Sequence, residues 1–237
     1  MRMRFSSPAV RRAACGAGVV LLAGSLLGGC SKPAGHDTNA KPAPPASAGA
    51  WPGPAPSSAS VARAELAALN VAPARPMTGY SRDRFPHWAA QGQSCDTRET
   101  VLKRDGQAVA ADAQCKPTTG NWTSPYDGLT FTDANKLDID HVVPLAAAWR
   151  AGADSWSDDQ RKALANDLTR PQLLAVSAAS NRSKGDQTPD QWKPPSQSAW
   201  CNYAKAWTDV KAYYKLAVTG PEKTALGQML DTCPAGS

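Results

Sequence analysis

The amino-acid sequence predicts a single α+β domain that is mostly helical and contains few strands. Two observations support this fold class. Several segments carry apolar residues at helical spacing, and short runs rich in leucine, isoleucine and valine lie between them, bounded by glycine, proline and aspartate. No internal repeat is visible in the sequence, so we do not expect a repeat architecture.

The N-terminal segment, residues 1–29, has the features of a secretory signal peptide. A basic start is followed by an apolar run that is shorter than the roughly 20 residues needed to span a membrane. The segment leads into Leu27-Gly28-Gly29-Cys30, which resembles the lipobox of bacterial lipoproteins. We therefore expect Cys30 to be lipidated and to anchor the exported protein in the cell envelope, on the periplasmic or extracellular face.

Residues 30–60 are rich in proline, alanine and serine and contain almost no large apolar side chain. Such a composition does not bury enough surface to fold, so it predicts an extended tether. The folded domain is predicted over residues 61–237.

The charge of the whole chain is misleading. It has 26 basic and 20 acidic residues, a net charge of +6. Without the four arginines of the signal segment, 22 basic and 20 acidic residues remain, a net charge of +2. Global charge therefore does not indicate a nucleic-acid partner, and such a claim must rest on particular residues.

The elements of the folded region follow from local patterns. In the first half we expect a short helix in VARAELAALN, a helix over 97–104, short strands and turns in GNWTSPYDGLTFTD, and a strand ending at Asp140-His141. Helices are then expected in PLAAAWRAGA and SDDQRKALANDL, followed by a buried strand in QLLAVS and one or two helical turns in AASNRSKGD that end at Gly185. A long helix from near Ser196 and a last helix over 222–230 complete the prediction. Ser157 is the expected N-cap of its helix.

The long helix carries an apolar stripe at i, i+3, i+7, i+10 and i+14: Trp200, Tyr203, Trp207, Val210 and Tyr214. Such a stripe could stack nucleic-acid bases, but a stripe at this spacing is typical of core packing. We expect it to pack the core.

Four cysteines remain once Cys15 and Cys30 are set aside. An even number of cysteines in an exported chain predicts two disulfides, and no C-x-x-C pair suggests a zinc site. Of the three pairings that four cysteines allow, we expect the local one, Cys95–Cys115 with Cys201–Cys233. Loops of this length predict roughly 3–4 kcal/mol of stabilisation each.

The chemistry-bearing residues lie in two segments, DIDHVVPL and PQLLAVSAASNRSKGDQ. Together they resemble the HNH endonucleases, in which an Asp-His pair ends one strand and a second strand leads into a short helix carrying Asn. The wider chain, through CDTRE and WCNYAKAW as well, resembles secreted bacterial proteins related to the GmrSD C-terminal domain. The resemblance implies a ββα-metal core, the His-Me finger, over about 130–187, within the mostly helical domain stapled by the disulfides.

The resemblance also implies roles for individual residues. Asp140 and Asn181 would be ligands of one divalent metal, Mg²⁺ or alternatively Mn²⁺, for which oxygen donors are suited. His141 would be the general base, because an imidazole accepts a proton at neutral pH. Asp138 is a rival or auxiliary ligand, since strand alternation puts it on the same side as Asp140.

Three basic residues are candidate phosphate contacts: Lys184, Arg182 and Arg98. Each also has a structural interpretation. Lys184 could be a solvated lysine, and Arg98 could pair with Asp96 or Glu99. His87, which lies between aromatic residues, is expected to pack rather than to act in catalysis. The sequence departs from many HNH proteins at Gln172, where they carry Asn, although Gln can form similar amide hydrogen bonds.

The resemblance implies a metal-dependent endonuclease that hydrolyses phosphodiester bonds in nucleic acid, DNA more than RNA. We further expect a monomer with little sequence specificity and no small-molecule cofactor. The first alternative is a non-catalytic cell-envelope lipoprotein that uses the fold for binding or as a scaffold. The second is another metal-dependent hydrolase, for instance one acting on peptidoglycan. The latter is disfavoured because the two-histidine motif of common zinc peptidases is missing.

Overall fold

The computed structural model describes residues 51–237. The predicted signal peptide, the lipidation site at Cys30 and most of the predicted tether lie outside the described residues. Ordered contacts begin earlier than the predicted boundary at residue 61. Trp51 packs against the main core, and the backbone N–H and hydroxyl of Ser57 both donate to the carboxylate of Asp209, at 2.7 and 2.6 Å. The composition of this stretch does not predict these contacts, because their partners, Asp209 and the main core, lie far along the chain.

The predicted helices and strands occur in the predicted order, and the structure adds three strands before residue 112 that were not predicted. The helices are α1 (Ala59–Ala68), α2 (Thr97–Asp105), α3 (Leu145–Arg150), α4 (Asp158–Ala165), α5 (Ala178–Lys184), α6 (Trp200–Tyr213) and α7 (Gly220–Leu230). The strands are β1 (Ala90–Gly92), β2 (Cys95–Asp96), β3 (Gln107–Ala111), β4 (Pro117–Thr123), β5 (Thr130–Phe131), β6 (Leu137–His141) and β7 (Leu173–Ser177). The described part is thus α+β, and Ser157 caps α4 as predicted.

The strands of the described residues form three small antiparallel sheets: β1 with β2, β3 with β4 and β5, and β6 with β7. In the last pair the register places Leu137 opposite Ser177 and His141 opposite Leu173. All of β7 and most of β6 are buried. This pair carries the Asp-His segment and leads directly into α5.

The two faces of the β6–β7 pair contact different cores because side chains alternate along a strand. Leu137 and Ile139 belong to a smaller cluster built around Trp122. Leu174 and Val176 belong to the main cluster, which includes side chains from α1, α3, α4, α6 and α7. The strand pair is therefore held from both sides.

The apolar stripe of α6 packs the core, as predicted. Tyr203, Trp207 and Val210 are fully buried, and Trp200 and Tyr214 are partly buried against the same cluster. Within residues 51–237, none of the helices combines the length and apolar character that spanning a bilayer requires.

Both predicted disulfides are confirmed. Cys95 pairs with Cys115 and Cys201 with Cys233, with Cα–Cα distances of 5.0 and 4.9 Å. The first ties β2, which immediately precedes α2, to the turn between β3 and β4. The second ties the first turn of α6 to the chain beyond α7.

Candidate active site

The site is built on the end of β6, where Asp140 and His141 are neighbours with side chains on opposite faces. Both are almost completely buried. The backbone after His141 is clamped by Gln172. The Val143 N–H donates to Gln172 Oε1 at 3.0 Å, and Gln172 Nε2 donates to the Val143 carbonyl at 2.9 Å. The amide support expected of a glutamine at this position is thus present.

Replacing Gln172 with alanine is expected to lower the free energy of unfolding by about 2–3 kcal/mol. The substitution would leave the N–H and C=O of Val143 buried without partners, and each carries a desolvation cost of about 1–3 kcal/mol. Urea denaturation of the variant would measure the loss. Gln228→Ala is a suitable control because Gln228 is exposed on α7 and its side chain makes no hydrogen bond within residues 51–237. Equal stabilities of the two variants would contradict this role for Gln172.

The second part of the site comes from α5, which begins immediately after β7. The Ser177 hydroxyl caps the helix by accepting from the Ser180 N–H at 3.1 Å. Gly185 ends the helix with a φ of +54°, a conformation that glycine adopts readily. The helix is therefore held at both ends, which places Asn181 next to the end of β6.

One cleft of about 260 Å³ joins these elements. Asp140, His141 and Asn181 all line it, together with Arg182 and Arg82. Asp140, His141 and Asn181, whose proximity was predicted from the sequence, thus lie in the same cleft.

The geometry of His141 assigns its proton. Its Nε2 lies 2.9 Å from the carbonyl oxygen of Ala165, and a carbonyl only accepts, so Nε2 carries the hydrogen. Nδ1 is then unprotonated. Nδ1 has no hydrogen-bond partner within residues 51–237, and it is not one of the fully buried, unpartnered polar atoms of this part of the chain. The imidazole therefore has an acceptor atom that is not engaged by protein.

Burial lowers the pKa of His141 to about 3. The hydrogen bond to Ala165 opposes this effect, while the nearby charges of Arg82 and Lys184 add to it. The imidazole is therefore neutral at neutral pH, the form that accepts a proton. A bound phosphodiester would bring negative charge to the same cleft and raise this pKa again.

Asp140 is held by two buried donors. The Lys184 ammonium lies 2.8 Å from Oδ1, and the Tyr126 hydroxyl donates to Oδ2 at 2.6 Å. Burial raises the pKa of Asp140, and the contacts with Lys184 and Tyr126 oppose that shift. The carboxylate is thus fixed in one orientation, with hydrogen bonds on both of its oxygens.

Tyr126 was not identified from the sequence. It lies in the turn between β4 and β5, which docks on the start of α5 through Asp127. The Ser180 hydroxyl donates to Asp127 at 2.7 Å, and the Ser177 hydroxyl donates to the same oxygen. No local sequence pattern predicts the hydrogen bond from Tyr126 to Asp140, because it joins a turn to a strand that is 14 residues away in sequence.

The donor chemistry of the site fits a hard divalent cation such as Mg²⁺, which prefers oxygen ligands. Asn181 Nδ2 donates to Asp138 at 3.2 Å, so its Oδ1 stays available. Asp140 lines the cleft, whereas Asp138 contacts Asn181 without lining it. Residues 51–237 contain no cluster of three or more His, Cys, Asp or Glu side chains suited to a metal. The oxygen donors that face the cleft are the Asn181 carboxamide, whose Oδ1 is unpaired within residues 51–237, and the Asp140 carboxylate, whose two oxygens accept hydrogen bonds from Lys184 and Tyr126.

Two of the predicted phosphate contacts are corrected by the structure. Lys184 is fully buried and donates to Asp140 and to the His141 carbonyl, at 2.8 and 2.9 Å, so its ammonium is not offered to a ligand. Arg98 donates to the carbonyls of Ala134 and Leu137, at 3.3 and 3.1 Å, and does not line the cleft. Its role is structural.

The predicted partners of Arg98 were also wrong. Asp96 and Glu99 instead form the capping box of α2, each bonding the backbone N–H of the other. Arg182, the third candidate, lines the cleft with a side chain that is 77% exposed, 3.7 Å from Asp138. It remains a candidate phosphate contact.

Comparisons with known proteins agree with the motif. Residues 105–229, more than half of the chain, match the family described as GmrSD restriction endonucleases, C-terminal domain. The chain is also 53% identical over 189 residues to an uncharacterized secreted protein of Arthroderma benhamiae, covering 78% of this chain and 93% of that protein. No solved structure matches. The chain therefore belongs to the family of GmrSD restriction endonuclease C-terminal domains, which relates it to the HNH endonucleases.

Proposed function

We propose that the protein is a metal-dependent endonuclease that hydrolyses phosphodiester bonds of nucleic acid, DNA more than RNA, with little sequence specificity. The observation that carries this proposal is the shared cleft of Asp140, His141 and Asn181, into which a histidine with a defined tautomer and a set of oxygen donors converge. The family relation supports the reaction class.

In this mechanism Nδ1 of His141 accepts a proton from the attacking water, while Nε2 keeps its hydrogen bond to Ala165. A divalent ion held by Asn181 and Asp140, with Asp138 as the alternative carboxylate, would supply charge stabilisation to the phosphate. Arg182 contacts the phosphate from the exposed edge of the cleft, where a guanidinium forms bidentate hydrogen bonds to oxyanions.

Export is supported by the signal-like N-terminus, by the two disulfides and by the secreted relative, whose own name says only that it is secreted. We further propose that Cys30 anchors the protein to the bacterial cell envelope and that it acts as a monomer.

A plasmid-nicking assay tests the proposed reaction. The purified protein is expected to relax supercoiled plasmid with Mg²⁺ or Mn²⁺ and to lose this activity in EDTA. Asn181→Ala is expected to bind Mn²⁺ more weakly in a calorimetric titration, because an oxygen ligand is lost. Asn202→Ala is the matched control, since Asn202 lies on α6 and does not line the cleft. Undiminished nicking in EDTA would contradict the proposal.

The alternative function, a non-catalytic binding lipoprotein, is favoured by one observation. Both oxygens of Asp140 already accept hydrogen bonds from buried side chains, which lowers their capacity as metal ligands. Absence of both Mn²⁺ binding and nicking by the wild-type protein would select this alternative.

A further inference from the structure

The segment from Tyr80 to Trp88, here called the cleft-wall segment, forms part of the site although it lies before residue 105, where the family match begins. Tyr80 and Arg82 line the same cleft as His141. We propose that Arg82 is a phosphate-contacting residue of this cleft and that His87 is the positioning residue that holds it there. This inference rests on the proposed function, because it assumes a phosphodiester as the ligand.

The cleft-wall segment is anchored in the main core. Phe85 is fully buried, and its ring lies 6.3 Å from that of Tyr80 and 6.3 Å from that of Trp149. Arg82 and His87 lie three residues before and two residues after this anchor. Their backbone positions are therefore fixed relative to the cleft.

The hydrogen bonds of His87 define which atom meets Arg82. His87 Nδ1 lies 3.0 Å from the Phe85 carbonyl, which only accepts, so Nδ1 carries the hydrogen. Nε2 is then an acceptor, and Arg82 Nε donates to it at 3.4 Å. The two terminal nitrogens of Arg82 have no hydrogen-bond partner within residues 51–237 and remain available to a phosphate, which a guanidinium binds bidentately.

The surrounding charges make Arg82 a suitable phosphate contact. Arg150 also lies near the cleft, but it pairs with Asp186 at 2.6 Å, and Arg84 lies 3.7 Å from Asp158. Arg82 has no carboxylate within 4.0 Å in the described part of the chain. A phosphodiester between Arg82 and Arg182 would therefore meet two guanidinium groups and displace few existing ion pairs.

The far end of the cleft-wall segment reaches the general base. The ring of Trp88 lies 6.0 Å from that of His141 and 5.1 Å from that of His87. Trp88 adopts a φ of +59°, a conformation disfavoured for a bulky residue, which surrounding structure must hold in place. Contacts therefore run from Arg82 through His87 and Trp88 to His141, and the two ends of this chain, Arg82 and His141, both line the cleft. A phosphate on Arg82 would thus share the cleft with the proposed base.

DNA binding without cleavage tests the role of Arg82. A fluorescently labelled short DNA duplex is titrated with the purified protein in EDTA, at several salt concentrations. Arg82→Ala is expected to weaken binding roughly ten- to hundredfold and to reduce the slope of log K against log salt by about one, since one phosphate contact is lost. Arg84→Ala is the matched control, because Arg84 lies in the same short 3₁₀ helix but not in the cleft.

Unchanged affinity and salt slope in Arg82→Ala would overturn the proposal, as would a wild-type protein that does not bind the duplex. A different result separates the two proposals. Duplex binding that Arg82→Ala weakens, without any cleavage by wild type under any metal condition, would overturn the proposed hydrolysis but support this inference.

A double-mutant cycle tests the positioning role of His87. His87→Ala is expected to weaken duplex binding severalfold when Arg82 is present and to have no effect in the Arg82→Ala background. His87→Gln is expected to retain most of the affinity, because its amide oxygen can accept from Arg82. An equal loss in both backgrounds would show that His87 acts through Trp88 packing instead, and would overturn its assignment. Thermal melting of each variant verifies that it is folded.

Discussion

Lys184→Met is expected to lower the free energy of unfolding by about 3–5 kcal/mol, the cost of removing one partner from a buried ion pair. Lys184 and Asp140 are both almost completely buried, at 0% and 4% exposure of their side chains. Methionine would fill the volume but leave the Asp140 carboxylate without its cation. The His141 carbonyl would lose a donor as well. Urea denaturation measures the change.

Two further variants separate the ion pair from general packing. Lys184→Met combined with Asp140→Asn removes both charges and is expected to recover much of the lost stability. Lys211→Met breaks a second buried pair, in which the Lys211 ammonium lies 2.5 Å from Glu222, and neither residue lines the cleft. It is expected to destabilise the protein without changing the nicking rate of the folded fraction. Wild-type stability in Lys184→Met would contradict the assigned role.

His141→Ala is expected to lower the plasmid-nicking rate by about 10²–10⁴-fold, the usual contribution of a positioned general base. The physical reason is the free Nδ1, which is the proposed acceptor of the water proton and has no equivalent in alanine. The measurement is the initial nicking rate with saturating Mg²⁺, compared with wild type at the same protein concentration.

Addition of free imidazole provides the control for this variant. Because the substitution opens space beside Ala165, imidazole is expected to restore part of the nicking rate of His141→Ala and to leave the wild-type rate unchanged. A variant that nicks as fast as wild type would remove His141 from the mechanism. Circular dichroism verifies that any loss of rate is not a loss of fold, since His141 also bonds the Ala165 carbonyl.

The order and type of most elements follow from local sequence. The strand at Leu137–His141, the short helix ended by Gly185 and the capped helix after Ser157 were all expected from alternation, capping residues and glycine. These features are local because backbone conformation depends on neighbours within a few residues. The disulfides were expected too, since short loops favour pairing between nearby cysteines.

The meeting of Asp140, His141 and Asn181 was predicted by resemblance, and the shared cleft brings them together. The environment of each was not predicted. Lys184 appeared to be a ligand-binding lysine, yet its partner is Asp140, 44 positions earlier in the chain. Whether a lysine reaches solvent or a buried carboxylate depends on the elements packed around it, and no local pattern reports that.

The sequence by itself determined an α+β chain with two disulfides, a signal-like start and an Asp-His strand followed by an Asn-bearing helix. Only the tertiary structure determined which charged side chains bond to internal groups and which face the cleft. Lys184 and Arg98 are engaged by internal oxygens, whereas Arg82 lies in the cleft. The physical reason is that a long basic side chain can reach either a buried acceptor or the cleft. Long-range packing determines whether a buried acceptor lies within its reach.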